Sequence, residues 1–241
     1  MAKIHMILQG KGGVGKSMVA AILAQYKMEK NQTPLCIDTD PINATFEGYK
    51  ALAVKRLEIM DADEINTRKF DTLVEMSVSS KNDVIIDNGA SSFVPLSYYL
   101  INNKVPSLFK SMEHELIIHT VITGGQSLRD TINGFTQLVE QFPLETNFVV
   151  WLNPYWGAVE NDGKPFYDMK AFISNRSRIS AIVEIPTLKE ETYGYDFSTI
   201  LKKRLTFKEA IEKETLPIMT KQRLKIIKDT IFQQLERAME L

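Results

Sequence analysis

The sequence predicts an α/β domain in which a doubly wound, mostly parallel sheet carries helices on both faces. Apolar runs typical of strands alternate along the 241 residues with segments of helical periodicity. Because these runs are nearly continuous in apolar residues, they suit strands buried on both faces, and the intervals between them are long enough for crossover helices. A glycine-rich loop at residues 10–17 follows the first run directly, at the edge of a parallel sheet where ligands bind.

The individual elements follow from this alternation. Strands are predicted at residues 3–9, 35–38, 57–60, 84–87, 116–122, 148–152 and 182–185. Helices are predicted at residues 16–30, 67–79, 92–102, 126–141, 167–175 and 206–212, and from residue 219 to the end of the chain. The first helix carries an i, i+3, i+4, i+7 apolar stripe that starts at Val19 and ends at Tyr26. Since no internal repeat or low-complexity linker divides the chain, residues 1–241 are expected to form one domain.

The loop at residues 10–17 carries the most specific chemical signal. Its spacing, G-x-x-x-x-G-K-[ST], lets backbone N–H groups surround a β-phosphate, directs Lys16 toward the β and γ oxygens and leaves the Ser17 hydroxyl for Mg²⁺. Strand, loop and helix occur in the order of a P-loop NTPase, so a nucleotide site is predicted here. The residues expected to bind the nucleotide are Gly10, Lys11, Gly12, Gly13, Val14, Gly15, Lys16, Ser17 and Met18.

Carboxylates end two of the predicted strands at the same edge as the loop. Asp38 and Asp40 are two positions apart, so their side chains point the same way, toward a Mg²⁺ ion or an attacking water. Asp87 ends another strand and is predicted to reach Mg²⁺ through Ser17 or a water. A small-residue turn at 88–92 follows, with N–H groups free to approach a γ-phosphate. An acidic turn without a ligand is the alternative for residues 38–41.

Composition restricts the class of protein. The formal net charge of −1 does not favour a dedicated nucleic-acid coat protein. Cys36 is the one cysteine, so no intrachain disulfide forms, and its apolar context favours a small buried side chain. No stretch approaches about 18 uninterrupted apolar residues and no leader pattern precedes the first strand, so we expect a soluble, cytoplasmic protein. His5, His114 and His119 lack a metal-binding spacing and are expected to be structural.

With these motifs, the chain resembles the deviant phosphate-loop ATPases of the ParA, MinD and nitrogenase iron-protein superclass. Lys11 matches the additional signature lysine of that loop, residues 38–41 match switch I, and residues 87–90 match the Walker B strand with the switch II turn. Asn153 and Pro186 fall where the family supports adenine. Almost the whole chain also resembles a group of conjugal-transfer proteins encoded by broad-host-range plasmids.

The resemblance implies an ATPase that dimerises on ATP, with ATP or ADP and Mg²⁺ as its cofactors. Lys11 of one subunit would reach the phosphates of the other, in the manner of an arginine finger. Asp40 would orient the attacking water, and Asp38 would lie near the Mg²⁺ shell. A protein partner, such as a component of the conjugation machinery, would respond to the switch.

The sequence also departs from the family pattern. The switch II turn reads Asn88-Gly89-Ala90, where a threonine or serine and then a proline are usual. Iron–sulfur members need two bridging cysteines in each subunit, so Cys36 alone excludes that branch. With two residues before the first strand, we expect no winged DNA-binding extension at the amino terminus.

Two regions leave the question of partners open. The loop at 153–165 holds Tyr155 and Trp156, which are expected to pack against the end of the sheet, with a partner contact as the alternative. Residues 202–241 are rich in Lys and Arg and are expected to form a solvated helix face, with DNA or an anionic membrane as the alternative. The last helix carries an apolar stripe typical of core packing, formed by Leu224, Ile227, Ile231, Leu235 and Met239.

Two other functions fit the same fold. One is a small-molecule enzyme that activates a carboxylate with ATP, of the dethiobiotin synthetase type. The other is a nucleotide-binding scaffold that does not hydrolyse ATP, an interpretation supported only by the unusual switch II turn.

Overall fold

A central parallel sheet organises the protein in the computed structural model, which describes residues 2–239 and, at residue 239, the main chain alone. The strands are β1 (Lys3–Ile7), β2 (Leu35–Asp38), β3 (Lys55–Arg56), β4 (Met60–Asp61), β5 (Glu64–Ile65), β6 (Val84–Asp87), β7 (Glu115–Thr123), β8 (Asn147–Asn153), β9 (Glu160–Asn161), β10 (Lys164–Pro165) and β11 (Ile179–Glu184). The α-helices are α1 (Lys16–Glu29), α2 (Lys69–Val78), α3 (Phe93–Asn102), α4 (Val105–Ser111), α5 (Leu128–Gln141), α6 (Lys170–Asn175), α7 (Tyr195–Lys202), α8 (Phe207–Glu212) and α9 (Ile218–Met239).

Seven strands form the central sheet in the order β11-β8-β7-β1-β6-β2-β3. Every neighbouring pair is parallel, so all seven carboxyl ends lie at one edge. The pairs β4–β5 and β9–β10 form two small antiparallel hairpins outside this sheet. Strand order reverses on either side of β1, which places the switch point of the fold at the end of that strand. The predicted doubly wound sheet is confirmed.

Two hydrophobic cores lie on opposite faces of the sheet. Helices α1, α7, α8 and α9 cover one face, and α2, α3, α4 and α5 cover the other. Within β1, Ile4 and Met6 belong to the second core and Ile7 to the first, as the alternation of a strand requires. Both faces are therefore apolar, which explains why the strands read as continuous apolar runs in the sequence.

A chain of three buried polar side chains crosses the first core. Trp151 Nε1 donates to His119 Nδ1 at 3.0 Å, and His119 Nε2 lies 2.9 Å from His5 Nδ1. Because indole can only donate, His119 carries its proton on Nε2 and donates it to His5. Burial lowers the pKa of His119 to about 3 and holds the pKa of His5 well below its ordinary value. Both imidazoles are thus neutral, as expected of structural histidines.

The strand predicted at residues 57–60 is wrong. Strand β3 ends at Arg56, and the Leu57 N–H then donates to Asp38 O at 2.9 Å before the chain leaves the sheet. Ile59 is buried in the second core without pairing as a strand, which accounts for the apolar pattern. Helices α4 and α7 were not predicted. Pro106 lies in the first turn of α4, where proline is tolerated, and α7 continues a π-helical turn that contains Gly194.

The carboxyl-terminal helix packs mainly as predicted. Leu224, Ile227, Ile231 and Leu235 are buried in the first core. The Met239 side chain lies outside the described residues, as do residues 240 and 241 at the end of the 202–241 segment. Two of that segment's cations are engaged in ion pairs, Arg223 with Asp196 at 2.6 Å and Lys228 with Glu29 at 2.9 Å, as in a solvated structural face. Within residues 2–239, no helix combines the length and apolar character needed to cross a membrane.

Candidate functional site

The phosphate-type loop joins β1 to α1 at the carboxyl edge of the sheet. Gly15 has φ 104°, a left-handed conformation that a side chain strains. A Cβ atom there would also lie 3.0 Å from Asn153 Nδ2 and 3.2 Å from Met18 Cε. The loop conformation therefore depends on glycine at this position.

Lys16 is buried at the start of α1 and turns back across the loop. Its Nζ donates to Lys11 O at 3.0 Å. Burial lowers its pKa, while the negative charges of Asp87 and Asp40 act in the opposite direction. One of three ammonium donors serves the loop carbonyl, so the remaining donors are available to an anion in the loop.

Asp87 is a buried carboxylate beside this loop. It pairs in register with Ile7 of β1 on one side and with Asp38 of β2 on the other. Neither of its oxygens has a hydrogen-bond partner among the described residues. Burial raises its pKa to about 7, the neighbouring Ser17 hydroxyl and the positive charge of Lys16 act in the opposite direction, and the negative charge of Asp38 adds to the rise. An unpartnered carboxylate beside a hydroxyl is a suitable half-site for a hard cation.

Both oxygens of the Asp38 carboxylate accept hydrogen bonds from the backbone of the same chain. Its two oxygens accept the N–H groups of Asp40 and Glu47, each at 2.9 Å. Burial raises its pKa, and these hydrogen bonds limit the shift. The contacts define Asp38 as an anchor of the segment that follows β2; its predicted place near Mg²⁺ stays a prediction.

The segment after β2 is fastened to the end of β6 as well. Thr39 Oγ1 donates to Asp87 O at 2.9 Å and to Asn88 Oδ1 at 3.2 Å. Asn88 Oδ1 also accepts from Ser92 Oγ at 2.8 Å. The turn after β6 is therefore ordered by Asn88 and Ser92, although it lacks the residues usual at this turn.

Asp40 lies where the two segments meet. Its Oδ1 accepts the N–H groups of Ile42 and Asn43 at 2.9 and 3.0 Å. A Cβ atom on Gly89 would lie 2.9 Å from Asp40 Cγ and 3.0 Å from Pro41 Cδ. Any side chain at residue 89 would displace Asp40, so the two predicted switch segments are in direct contact through this glycine.

Lys11 points away from its own loop. Its Nζ forms a 2.8 Å ion pair with Asp130 in the first turn of α5, and both side chains are partly exposed. Asp130 was not among the predicted site residues. The contact joins residues 119 positions apart, and no local pattern marks it.

The structure brings Asn153 to the loop but shows no such contact for Pro186. Asn153 Nδ2 donates to Val14 O at 2.9 Å, so this amide supports the loop backbone. Pro186 is partly buried two residues beyond the end of β11, at the same edge of the sheet. The adenine-supporting role predicted for both residues stays a prediction.

Comparisons with known proteins agree with this geometry. The family described as the CobQ/CobB/MinD/ParA nucleotide binding domain matches residues 5–218. Two Escherichia coli proteins named TraL are 67% and 66% identical to this chain over 238 residues, which cover 99% of each chain.

Solved structures show the same fold at low identity. The MinC:MinD cell division complex of Aquifex aeolicus matches with a TM-score of 0.52 and 16% identity, over 100% of this chain and 96% of that one. A plasmid partition protein of Borrelia burgdorferi B31 bound to AMPPNP matches with a TM-score of 0.50 and 16% identity, over 98% and 99%. The family match over most of the chain, together with the loop and its carboxylates, identifies the protein as a member of the CobQ/CobB/MinD/ParA nucleotide-binding family.

Proposed function

We propose that this protein is an ATP-dependent dimerisation switch that hydrolyses ATP slowly and positions or activates a protein partner in plasmid conjugal transfer. The observation that carries the proposal is the buried, unpartnered carboxylate of Asp87 beside Ser17 and Lys16. A purely structural loop has no use for an orphaned carboxylate, whose burial costs free energy. Full-length similarity to TraL supports the conjugal setting.

Phosphate binding follows from the loop itself. Backbone N–H groups around Gly13 and Gly15 form a cradle for the β-phosphate, and the amino end of α1 adds its positive dipole. Lys16 is already held inside this cradle, so little rotamer entropy remains to be lost on binding. Its lowered pKa reflects burial, and a polyphosphate would supply the negative charge that the buried ammonium lacks.

The residues present fit a Mg²⁺ ion. Ser17 and Asp87 offer oxygen ligands, the kind this ion prefers, while nucleotide oxygens and waters would complete an octahedron. Among residues 2–239, no group of three His, Cys, Asp or Glu side chains could hold a metal unaided, in keeping with a site completed by the nucleotide. When bound, the ion would offset charge on the phosphate oxygens.

Hydrolysis is assigned to Asp40 and Lys11. Asp40 lies at the contact between the two switch segments, where its carboxylate can orient a water. Lys11 would leave Asp130 and place its ammonium on the phosphates of a second copy. An exposed ion pair of this kind is worth about 0–1 kcal/mol, so releasing Lys11 costs little.

The test is the mass of the purified protein by light scattering, first with Mg²⁺-ADP and then with Mg²⁺ and a non-hydrolysable ATP analogue. We expect a monomer with ADP and a dimer only with the analogue. A monomer in both states would contradict the switch. If turnover then rose on addition of a metabolite carboxylate, the small-molecule enzyme would take its place.

A further inference from the structure

Exposed apolar side chains follow three of the strands at the sheet edge that carries the phosphate loop. Ile42 follows β2 and is 73% exposed, Val94 follows β6 and is 62% exposed, and Tyr155 and Trp156 follow β8 at 71% and 56%. Since the parallel strands share one carboxyl edge, all four lie at the edge that carries the loop. Of the four, Tyr155 and Trp156 are adjacent and in contact, and contiguous exposed apolar surface marks a place where a protein contacts something else.

Tyr155 and Trp156 are the largest members of this group. Their rings meet edge to face, with centroids 4.9 Å apart at an interplanar angle of 83°. The Trp156 indole donates to Gly13 O at 3.4 Å, so the pair borders the loop directly. The expectation that these aromatics pack against the end of the sheet is wrong, because both residues are more than half exposed.

Hydrogen bonds and a close contact hold the backbone below the pair. Residues Pro154–Trp156 form a 3-10 turn in which the Tyr155 N–H donates to the Asn153 side chain. The turn rests closely on Gly125, since a Cβ atom there would lie 2.2 Å from Trp156 O. Tyr and Trp side chains have few rotatable bonds and so lose little conformational entropy on contact, which suits an interface anchor.

We infer that Tyr155 and Trp156 are the apolar anchors against which a second copy of this chain packs. The inference rests on the proposed function, in which Lys11 enters the other copy. In such a dimer the second copy covers the surface that borders the loop. A two-fold interface uses the same patch on both copies, so Tyr155 and Trp156 would contribute from each side. Tyr and Trp are the residue types that dominate binding energy at the centres of interfaces.

The test is dimerisation of Tyr155→Ala and Trp156→Ala with Mg²⁺ and a non-hydrolysable ATP analogue, measured by light scattering over a concentration series. Each substitution is expected to weaken the dimer about 30-fold or more, the size of a hot-spot loss. Leu144→Ala is the matched control, because Leu144 is 82% exposed and precedes β8 at the opposite edge of the sheet. The control should dimerise as the unaltered protein does.

Monomer binding of ADP separates an interface role from stacking on the nucleotide base. The inference expects unchanged ADP affinity in both variants, whereas a loss of ADP affinity would overturn it in favour of base stacking. The two tryptophans give a second readout, since Trp151 is fully buried and Trp156 is accessible to acrylamide. Trp156 should become protected with the ATP analogue but not with ADP.

The two ideas fail in different ways. If the unaltered protein dimerises and both variants dimerise equally well, the inference is wrong and the switch stands. If the unaltered protein never dimerises, the proposed function fails and the inference fails with it.

Discussion

Replacing Asp87 by asparagine is expected to stabilise the nucleotide-free protein in a pH-dependent way. The folded chain holds the pKa of Asp87 at about 7, against an ordinary value of 3.8, chiefly through burial. The folded state therefore binds this proton more tightly than the unfolded state does. Stability is lost as pH rises from about 4 to about 7, where the folded carboxyl ionises, and the loss persists above that range.

The size of the effect follows from the two pKa values. At about 1.4 kcal/mol for each pH unit between them, the full difference is about 4 kcal/mol. At pH 5 the folded carboxyl is protonated but the unfolded one is already ionised, so Asp87→Asn should raise the free energy of unfolding by only about 1.6 kcal/mol. At pH 8 the carboxylate is charged and buried, so the asparagine variant should be more stable by up to about 4 kcal/mol.

The assay is urea denaturation at pH 5 and pH 8, without nucleotide and with a chelator that removes divalent cations. Asp63→Asn, which replaces an exposed carboxylate between β4 and β5, controls for the loss of a charge. Adding Mg²⁺ with an ATP analogue at pH 8 should stabilise the unaltered protein more than the variant. Equal stability changes at both pH values would refute the reasoning, as would a destabilised variant at pH 8.

Four further substitutions test separate parts of the site and the core. Asp40→Ala should abolish ATP turnover yet leave the analogue-bound dimer, and an active monomeric variant would contradict the assigned role. Lys11→Ala should also suppress hydrolysis while monomer affinity for ADP, measured by titration, stays nearly unchanged. Gly15→Ala forces a side chain toward Asn153 at positive φ, so ADP affinity should fall at least tenfold, against no loss for Gly163→Ala in the exposed β9–β10 turn. Trp151→Phe leaves His119 Nδ1 without its buried donor, so urea denaturation should show a loss of about 1–3 kcal/mol.

The parts of the site that could be predicted from sequence are those encoded by neighbouring residues. The loop at residues 10–17 contains its own spacing, and Asp87 is marked by the apolar strand that it ends. The pairing of Lys11 with Asp130 could not be predicted in the same way, because a contact across 119 residues leaves no periodic pattern. Asn153 illustrates an intermediate case: its position was identified, but its bond to Val14 O depends on how β8 lies relative to the loop.

The fold, too, could be predicted only where the sequence pattern and the hydrogen-bonding pattern coincide. Strands buried on both faces were identified, whereas residues 57–60 misled the prediction because Ile59 fills the core without pairing. An apolar run indicates that its residues are buried. Buried residues also pair as strands only when they lie inside the sheet. At the sheet edge β3 pairs over two residues alone, so the apolar pattern and the hydrogen-bonding pattern separate there.

The contacts around Thr39 explain how a single bound phosphate could act on both switch segments. Thr39 donates to the backbone of Asp87 and to the side chain of Asn88, and Gly89 lies against Asp40. If the turn after β6 moved toward a γ-phosphate, it would carry Asn88 with it, and Asn88 is hydrogen-bonded to Thr39 in the segment after β2. In the proposed function Asp40, which belongs to that segment, orients the attacking water, so this step and the response to a γ-phosphate would depend on the same few contacts. Such coupling would require no motion of the sheet, whose strands are buried on both faces.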